Sequence, residues 1–482
     1  MEEQLKDKVV KGLFWRFLER CGAQGISFVV SIILARILSP TEFGIISLVT
    51  VFTNILMVFT DSGLGQALVQ KSKIEDEDYS SALWMNSFLA VALYLGMFFL
   101  SPFIAKLYQM EELTSVIRVI SLTIIIGGVK GILQAYIQKN MQFKKFFFAT
   151  LIGTIISAVI GIYMAVSGAG VWALVFQQLT NQVIDTIVLW IVTPCRFHLR
   201  FSFNRVKNLY SFGWKILVSH FIDLVYNNMY SLVIGKTYSE ADLAYYDKGK
   251  QFPYYLINNV NNSINMVMFP TLSKLKNNKE KLCNTVRKSL QVSSFIIFPM
   301  MVGFAAIAPD FILVLLTEKW LPAVPFLRFC CFTYALTPIH TANLQAMSAI
   351  GRSDIYLKLE IKKKIIGVLC LIITLPRGLY AMMVGRCISG IISMYLNISP
   401  NKVLLGYGIK AQMKDLLPAT ILSAIMSVIV LGLGEFLKIS SLMKIIIQII
   451  VGCAVYFGLA RVFHLEILEY VKSIVFKKRI SD

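Results

Sequence analysis

Apolar stretches of about 20 residues return along nearly the whole chain, with short polar connections between them. As an α-helix, a run of that length covers the roughly 30 Å hydrocarbon core of a bilayer. Fourteen such runs occur, near 20–38, 44–60, 82–103, 114–135, 147–166, 171–193, 213–236, 251–270, 289–308, 324–349, 361–376, 378–398, 416–437 and 442–463. The eleventh is the weakest, because Lys362, Lys363 and Lys364 crowd its start. The pattern predicts an all-α, polytopic membrane protein of about 14 transmembrane helices. An amphipathic segment, "VVKGLFWRFLER" at 9–20, precedes the first run and suits a membrane surface. The full spanning length of the run that follows argues against a cleaved signal peptide.

The polar ends of these runs repeat. "ILARILSPTEFG" (33–44) closes the first run and "VIGKTYSEADLA" (233–244) the seventh, aligning Arg36 with Lys236, Ser39 with Ser239, and Glu42 with Asp242. "LTSVIRVISLTIIIGGVKGILQA" from Leu113 resembles "AVPFLRFCCFTYALTPIHTANLQA" from Ala323, with Arg118 near Arg328. "GAGVWALV" from Gly168 resembles "PRGLYAMMV" from Pro376, aligning Gly170 with Gly378. The three matches keep their order at offsets of 200 to 211, which indicates a duplication of about six spans. Six is even, so both copies run in the same direction, as bundles over 1–200 and 201–400. Parallel repeats of this kind bind substrate where the halves face each other. The 33–44 stretch and its copy are then outer turns, with Pro40 in the turn and Ser39 and Thr41 as capping candidates. Arg36 is placed to snorkel to the outer interface.

Composition agrees with the membrane reading. Hydrophobic residues make up 56% of 482 and charged ones 15%, with a mean hydropathy of +0.68. The net charge of +20 changes the picture only through its placement. With the N-terminus in the cytoplasm, most of the 47 Lys and Arg residues fall in the inner connections. That bias puts both termini in the cytoplasm and the excess charge beside the inner leaflet, and gives no support to nucleic-acid binding. The eight cysteines are scattered without a Cys-x-x-Cys pair and read as core filling. The four histidines lack metal-ligand spacing, and no Walker A sequence occurs. With short connections throughout, the expectation is a chain that is not an enzyme and holds no metal or cofactor.

Polar side chains inside spans are costly and tend to face a cavity or another helix. The seventh span carries Lys215, Ser219, Asp223, Asn227 and Ser231, four residues apart and near one helix face. The eighth reads "YYLINNVNNSINM", with Asn258, Asn261, Asn262 and Asn265 following the helical period. The first span and its approach hold Arg16, Arg20, Gln24, Ser27 and Ser31, and the second holds Ser47, Asn54 and Asp61. The first two spans of each half are thus the polar ones, and these four helices are candidates to line one aqueous cavity. The plainer reading is that Asn and Ser glue helices together, at about 0.6 kcal/mol per buried hydrogen bond. Asp185, in the sixth span, reads as a packed or paired carboxylate, and Lys130 and His340 as single polar residues without assigned roles.

Segments through most of the chain resemble the Wzx-type polysaccharide flippases, also known as lipopolysaccharide biosynthesis proteins, of the multidrug/oligosaccharidyl-lipid/polysaccharide (MOP) exporter superfamily. They include "ILARILSPTEFGIISLVTVF", "FTDSGLGQALVQKS", "GVWALVFQQL", "YNNMYSLVIGK", "VLLTEKWLPAVPFLR" and "AIGRSDIYLKLEIKKKIIG". The resemblance points to the fourteen-span branch. It implies two pseudo-symmetric six-helix bundles in a V around a central cavity, plus two further C-terminal helices and a cytoplasmic tail in 401–482. It implies a cavity lined by spans 1, 2, 7 and 8. The cargo it implies is a polyprenyl-diphosphate-linked oligosaccharide repeat, flipped across a bacterial cytoplasmic membrane for O-antigen or other surface polysaccharide. Lys and Arg suit the diphosphate and Asn the sugar hydroxyls. Candidate partners are membrane lipid, a coupling H+ or Na+, and other polysaccharide-assembly membrane proteins. A cation-coupled drug or metabolite exporter of the same fold is the alternative; a membrane glycosyltransferase or polymerase would need larger outer loops than these.

Overall fold

The computed structural model describes the backbone at 2–61, 63–71, 74–194 and 201–470. The described residues are helical, with no strand among them. They divide by contacts into two compact units, Met1–Ala244 and Tyr245–Asp482.

The first unit opens with α1 (Glu2–Ile37), α2 (Pro40–Asp61) and the short α3 (Leu64–Gln70). It continues with α4 (Asp76–Tyr108), α5 (Leu113–Ile120), α6 (Leu122–Lys139), α7 (Phe143–Val166), α8 (Val171–Val192) and α9 (Phe203–Thr237). Helix α10 (Glu240–Lys274) starts just before the boundary between units. The second unit holds the rest of it with α11 (Lys279–Leu315), α12 (Val324–Ala335), α13 (Thr337–Ala349) and α14 (Ser353–Thr374). Helices α15 (Leu379–Leu405), α16 (Ile409–Phe436) and α17 (Ser441–Val462) complete it. Counting α5–α6 and α12–α13 as broken rods and leaving α3 aside, fourteen rods among the described residues fall on the fourteen expected spans. Among the described residues, eight helical segments are by themselves long and apolar enough to cross a membrane.

The helices extend past the apolar windows read from sequence. Helix α9 begins at Phe203 rather than near 213, and α10 at Glu240 rather than near 251. Polar residues at an interface still complete backbone hydrogen bonds, so a helix outlasts its apolar core. The segment at 9–20 is one piece with the first span inside α1. Most of its side chains lie outside the described residues, but Trp15 packs against Phe147 of α7 at 5.5 Å.

The duplication is visible as repeated local geometry. After α1, Ser39 N donates to Glu42 Oε2 at 2.6 Å and Glu42 N to Ser39 Oγ at 3.4 Å. After α9, Ser239 N donates to Asp242 Oδ2 and Asp242 N to Ser239 Oγ, both at 3.2 Å. Each is a reciprocal cap that satisfies N–H groups at a helix start. Arg118 Nε lies 3.5 Å from the Phe98 carbonyl of α4, and Arg328 Nε 3.1 Å from the Ala305 carbonyl of α11. Gly170 and Gly378 cap α8 and α15 at φ +58° and +99°, a region in which a side chain would be strained.

In the first unit α7 packs on α1 and α8, while α6 packs on α2, α4 and α8. Helix α9 packs on α2, α3 and α4, with Leu209 in a buried cluster that includes Leu64, Leu68, Tyr79 and Ile132. In the second unit α11 is the hub, packing on α12, α13, α16 and α17. Large apolar side chains such as Phe88, Phe99, Ile191, Val403 and Phe436 stay exposed, as lipid-facing residues do.

Candidate functional site

The polar face expected on α9 exists. Lys215, Ser219 and Asn227 are exposed, Asp223 is half-buried and Ser231 is buried. The opposite face explains the direction: at Gly213 an added Cβ would lie 2.5 Å from the Gly63 carbonyl oxygen, so α9 meets the chain before α3 backbone to backbone. Gln24 on α1 and Asn54 on α2 are exposed as well. The side chains of Arg16, Arg20 and Asp61 lie outside the described residues.

On α10 the asparagines divide into two roles. Asn262 Nδ2 donates to Asn258 Oδ1 at 3.2 Å along the helix surface. Asn261 Oδ1 accepts from Thr341 Oγ1 of α13 at 3.0 Å, and Asn265 Oδ1 accepts from Gln345 Nε2. Asn261 and Asn265 therefore tie α10 to α13, as the helix-glue reading expects, while Asn258 and Asn262 bond to each other.

Two groups of residues escaped sequence reasoning. The first gathers on α10, on α15 and on the 3-10 turn Glu318–Ala323 just before α12. Arg386 of α15 donates to the Tyr246 hydroxyl, and its guanidinium lies 5.9 Å from that ring. Lys250 Nζ is 6.0 Å from the same ring, and Lys248 Nζ 6.0 Å from the buried Trp320 ring. Asp247 lies in the same turn of α10 as the two lysines and is a carboxylate of opposite charge. Aromatic faces attract cations at this range. One turn further, Tyr254 and Tyr255 are exposed. The signal was present in "YYDKGKQFPYY", but an apolar window that opens near 251 leaves its charges in a loop.

The second group is a polar stripe on α8, of which sequence reasoning singled out Asp185 alone. Gln178 Oε1 accepts from Thr50 of α2 at 3.4 Å, and Asn181 donates to Ser157 of α7 at 3.2 Å. Asp185 is paired, as expected of it, and its partner is Lys130 of α6 at 2.6 Å.

Charge also gathers at the start of α4, in the acidic stretch "KSKIEDEDYSS". Arg205 of α9 meets Glu75 at 2.7 Å, Glu77 at 2.9 Å and Asp78 at 3.2 Å, and Lys71 meets Asp78 at 2.7 Å. Burial works to raise the Asp78 carboxyl. Hydrogen bonds from Lys71, the Glu75 amide and Arg205 outweigh it and hold the group below its ordinary value. Among the described residues no cluster of three or more His, Cys, Asp or Glu is arranged to hold a metal ion.

The second unit also contains an apolar cavity of about 400 Å³, lined by Leu256, Phe295, Met300, Phe304, Met426 and Phe457 among others. It lies among α10, α11, α16 and α17.

Known proteins resemble this chain in sequence or in fold. The succinoglycan biosynthesis transport protein ExoT of Rhizobium meliloti (strain 1021) is 28% identical over 334 residues, covering 69% of this chain and 68% of its own. The teichuronic acid biosynthesis protein TuaB of Bacillus subtilis (strain 168) is 24% identical over 461 residues, covering 93% and 94%. The structure of the lipid II flippase MurJ in an inward closed conformation superposes with a TM-score of 0.74 at 16% identity, over 98% of this chain and 100% of that one. This is a MOP-type fold in a multi-pass membrane protein. A model of the family described as polysaccharide biosynthesis protein matches residues 33–325, and the chain belongs to that family.

Proposed function

We propose that this protein is a flippase that moves a polyprenyl-diphosphate-linked oligosaccharide repeat from the inner to the outer leaflet of a bacterial cytoplasmic membrane. The observation that carries the reading is that α10 offers both chemistries such a cargo needs. It bears Lys250, Asn258 and Asn262, and its Leu256 lines the apolar cavity of about 400 Å³. Lys250 and Arg386 supply charge for a diphosphate, and Tyr254 and Tyr255 offer flat faces for sugar rings. The cavity takes part of the prenyl tail.

In the first unit the candidate cargo-facing residues are Lys215, Ser219, Asp223 and Asn227, with Arg16, Arg20, Gln24, Asn54 and Asp61. The cycle is alternating access without covalent chemistry on the cargo, driven by H+ or Na+, with both termini cytoplasmic. Other polysaccharide-assembly membrane proteins act before and after it.

The test is lipid extraction from cells with and without the gene, with mass spectrometry of polyprenyl-linked glycan and its leaflet position probed in sealed vesicles. Complete repeats trapped on the inner leaflet of the deletion strain are expected. No accumulation, with surface glycan unchanged, would favour a drug or metabolite exporter instead. Restoring Arg386→Gln, still inserted in the membrane, should leave the repeats trapped.

A further inference from the structure

Lys130 and Asp185 form an ion pair inside the first unit. Lys130 Nζ lies 2.6 Å from Asp185 Oδ2 and 2.9 Å from Gln182 Oε1. The two charged side chains are only 14% and 4% exposed. Helix α7 packs tightly against the base of this side chain, since a Cβ at Gly153 would come within 3.2 Å of Asp185 Cβ and of its backbone nitrogen. Asp185 Oδ1 is buried and makes no hydrogen bond within the protein.

A structural ion pair in a dry place normally has its remaining acceptors satisfied, because half-satisfied charge is costly there. This one is satisfied on one side. A carboxylate and an amide carbonyl converging on one positive centre are the oxygen donors a hard cation takes. One carboxylate matches one positive charge. We propose that Lys130 is a built-in cation, whose ammonium occupies a monovalent metal-ion site formed by Asp185 and Gln182. The intact protein then needs no metal ion to neutralise Asp185. Removal of the ammonium leaves a carboxylate oxygen and an amide oxygen around one vacated positive charge, which a monovalent cation such as Na+ would match. The inference concerns the interior of the first unit and does not depend on which cargo is carried.

The experiment is thermal unfolding of the full chain in detergent, in NaCl against choline chloride at equal ionic strength. The variants are Lys130→Ala, Asp185→Asn and the double variant Lys130→Met/Asp185→Asn. The wild type should unfold at the same temperature in both salts. Lys130→Ala should unfold several degrees lower in choline chloride and recover with a saturable dependence on Na+. The double variant should ignore the choice of cation, and Asp185→Asn alone should not respond to Na+. A wild-type response to Na+ that Asp185→Asn abolishes would overturn the proposal, because the site would then be open already. Lys130→Ala that fails to fold in either salt, while the double variant folds, would overturn it too, since no metal ion had replaced the ammonium.

Discussion

At the residue scale, several positions are defined by the side chain they lack. At Gly44 an added Cβ would lie 1.9 Å from the Glu240 carbonyl oxygen, so the starts of α2 and α10 touch backbone to backbone. Neither backbone can move aside without breaking a helix start. Gly44→Ala should therefore destabilise by about 1–3 kcal/mol or more, the range of overpacked sites. Gly25 in α1 has nothing within 4 Å of the same added atom, and Gly25→Ala should be neutral or stabilising through helix propensity. Thermal unfolding in detergent compares the two, and equal behaviour would refute the close-approach argument. Legibility in the sequence follows the range of the interaction. Ser39 was readable as a capping candidate, and Ser239 and Asp242 as the copies of Ser39 and Glu42, because each motif is complete within four residues. Lys130 and Asp185 each looked isolated, because their meeting depends on how α6 and α8 pack, which no local pattern encodes.

At the element scale, α9 is fastened at both ends of its length. Near its start Arg205 holds the acidic first turn of α4, and near its end Tyr108 of α4 donates to the Leu232 carbonyl at 3.3 Å. The lower fastening is titratable. The folded Asp78 carboxyl lies below its ordinary value, so its contribution is complete at neutral pH and lost as pH falls through that lowered value. Below about pH 4, where free carboxyls take up protons, the joint of α3, α4 and α9 should loosen. The measurement is the unfolding temperature from pH 7 to pH 3, for the wild type and for Asp78→Asn. The wild type should lose more over that interval, and parallel curves would show that Asp78 does not supply the acid sensitivity. Arg205→Gln should lower the unfolding temperature at pH 7 while leaving α9 helical. Helix existence here was legible from apolar length, but its bounds were not. The charged first turns of α9 and α10 fall outside any apolar window and are held helical by tertiary contacts and caps.

At the scale of the whole molecule, two independent features of the sequence constrain one arrangement. The duplicated unit of about six spans is an even number of crossings, and the distribution of Lys and Arg favours one orientation. Both bear on Glu111, between α4 and α5, and on Lys276, between α10 and α11. The α5–α6 rod, α7, α8, α9 and α10 lie between them, an odd number of crossings. The two positions should therefore face opposite sides, Glu111 outward and Lys276 toward the cytoplasm. Both side chains are exposed, so neither substitution disturbs packing. In a variant with its eight cysteines replaced, Glu111→Cys should react with a membrane-impermeant maleimide added to intact cells. Lys276→Cys should react only after the cells are opened. The reverse pattern would invert the molecule and place the positive connections outside, against the bias of short loops. Labelling of both from one side would mean that one rod does not cross. The weakest-looking rods in that interval by apolarity are α8, α9 and α10, which carry polar residues within their length and fall short of the apolarity of a self-sufficient span, so they are the ones this labelling tests most directly.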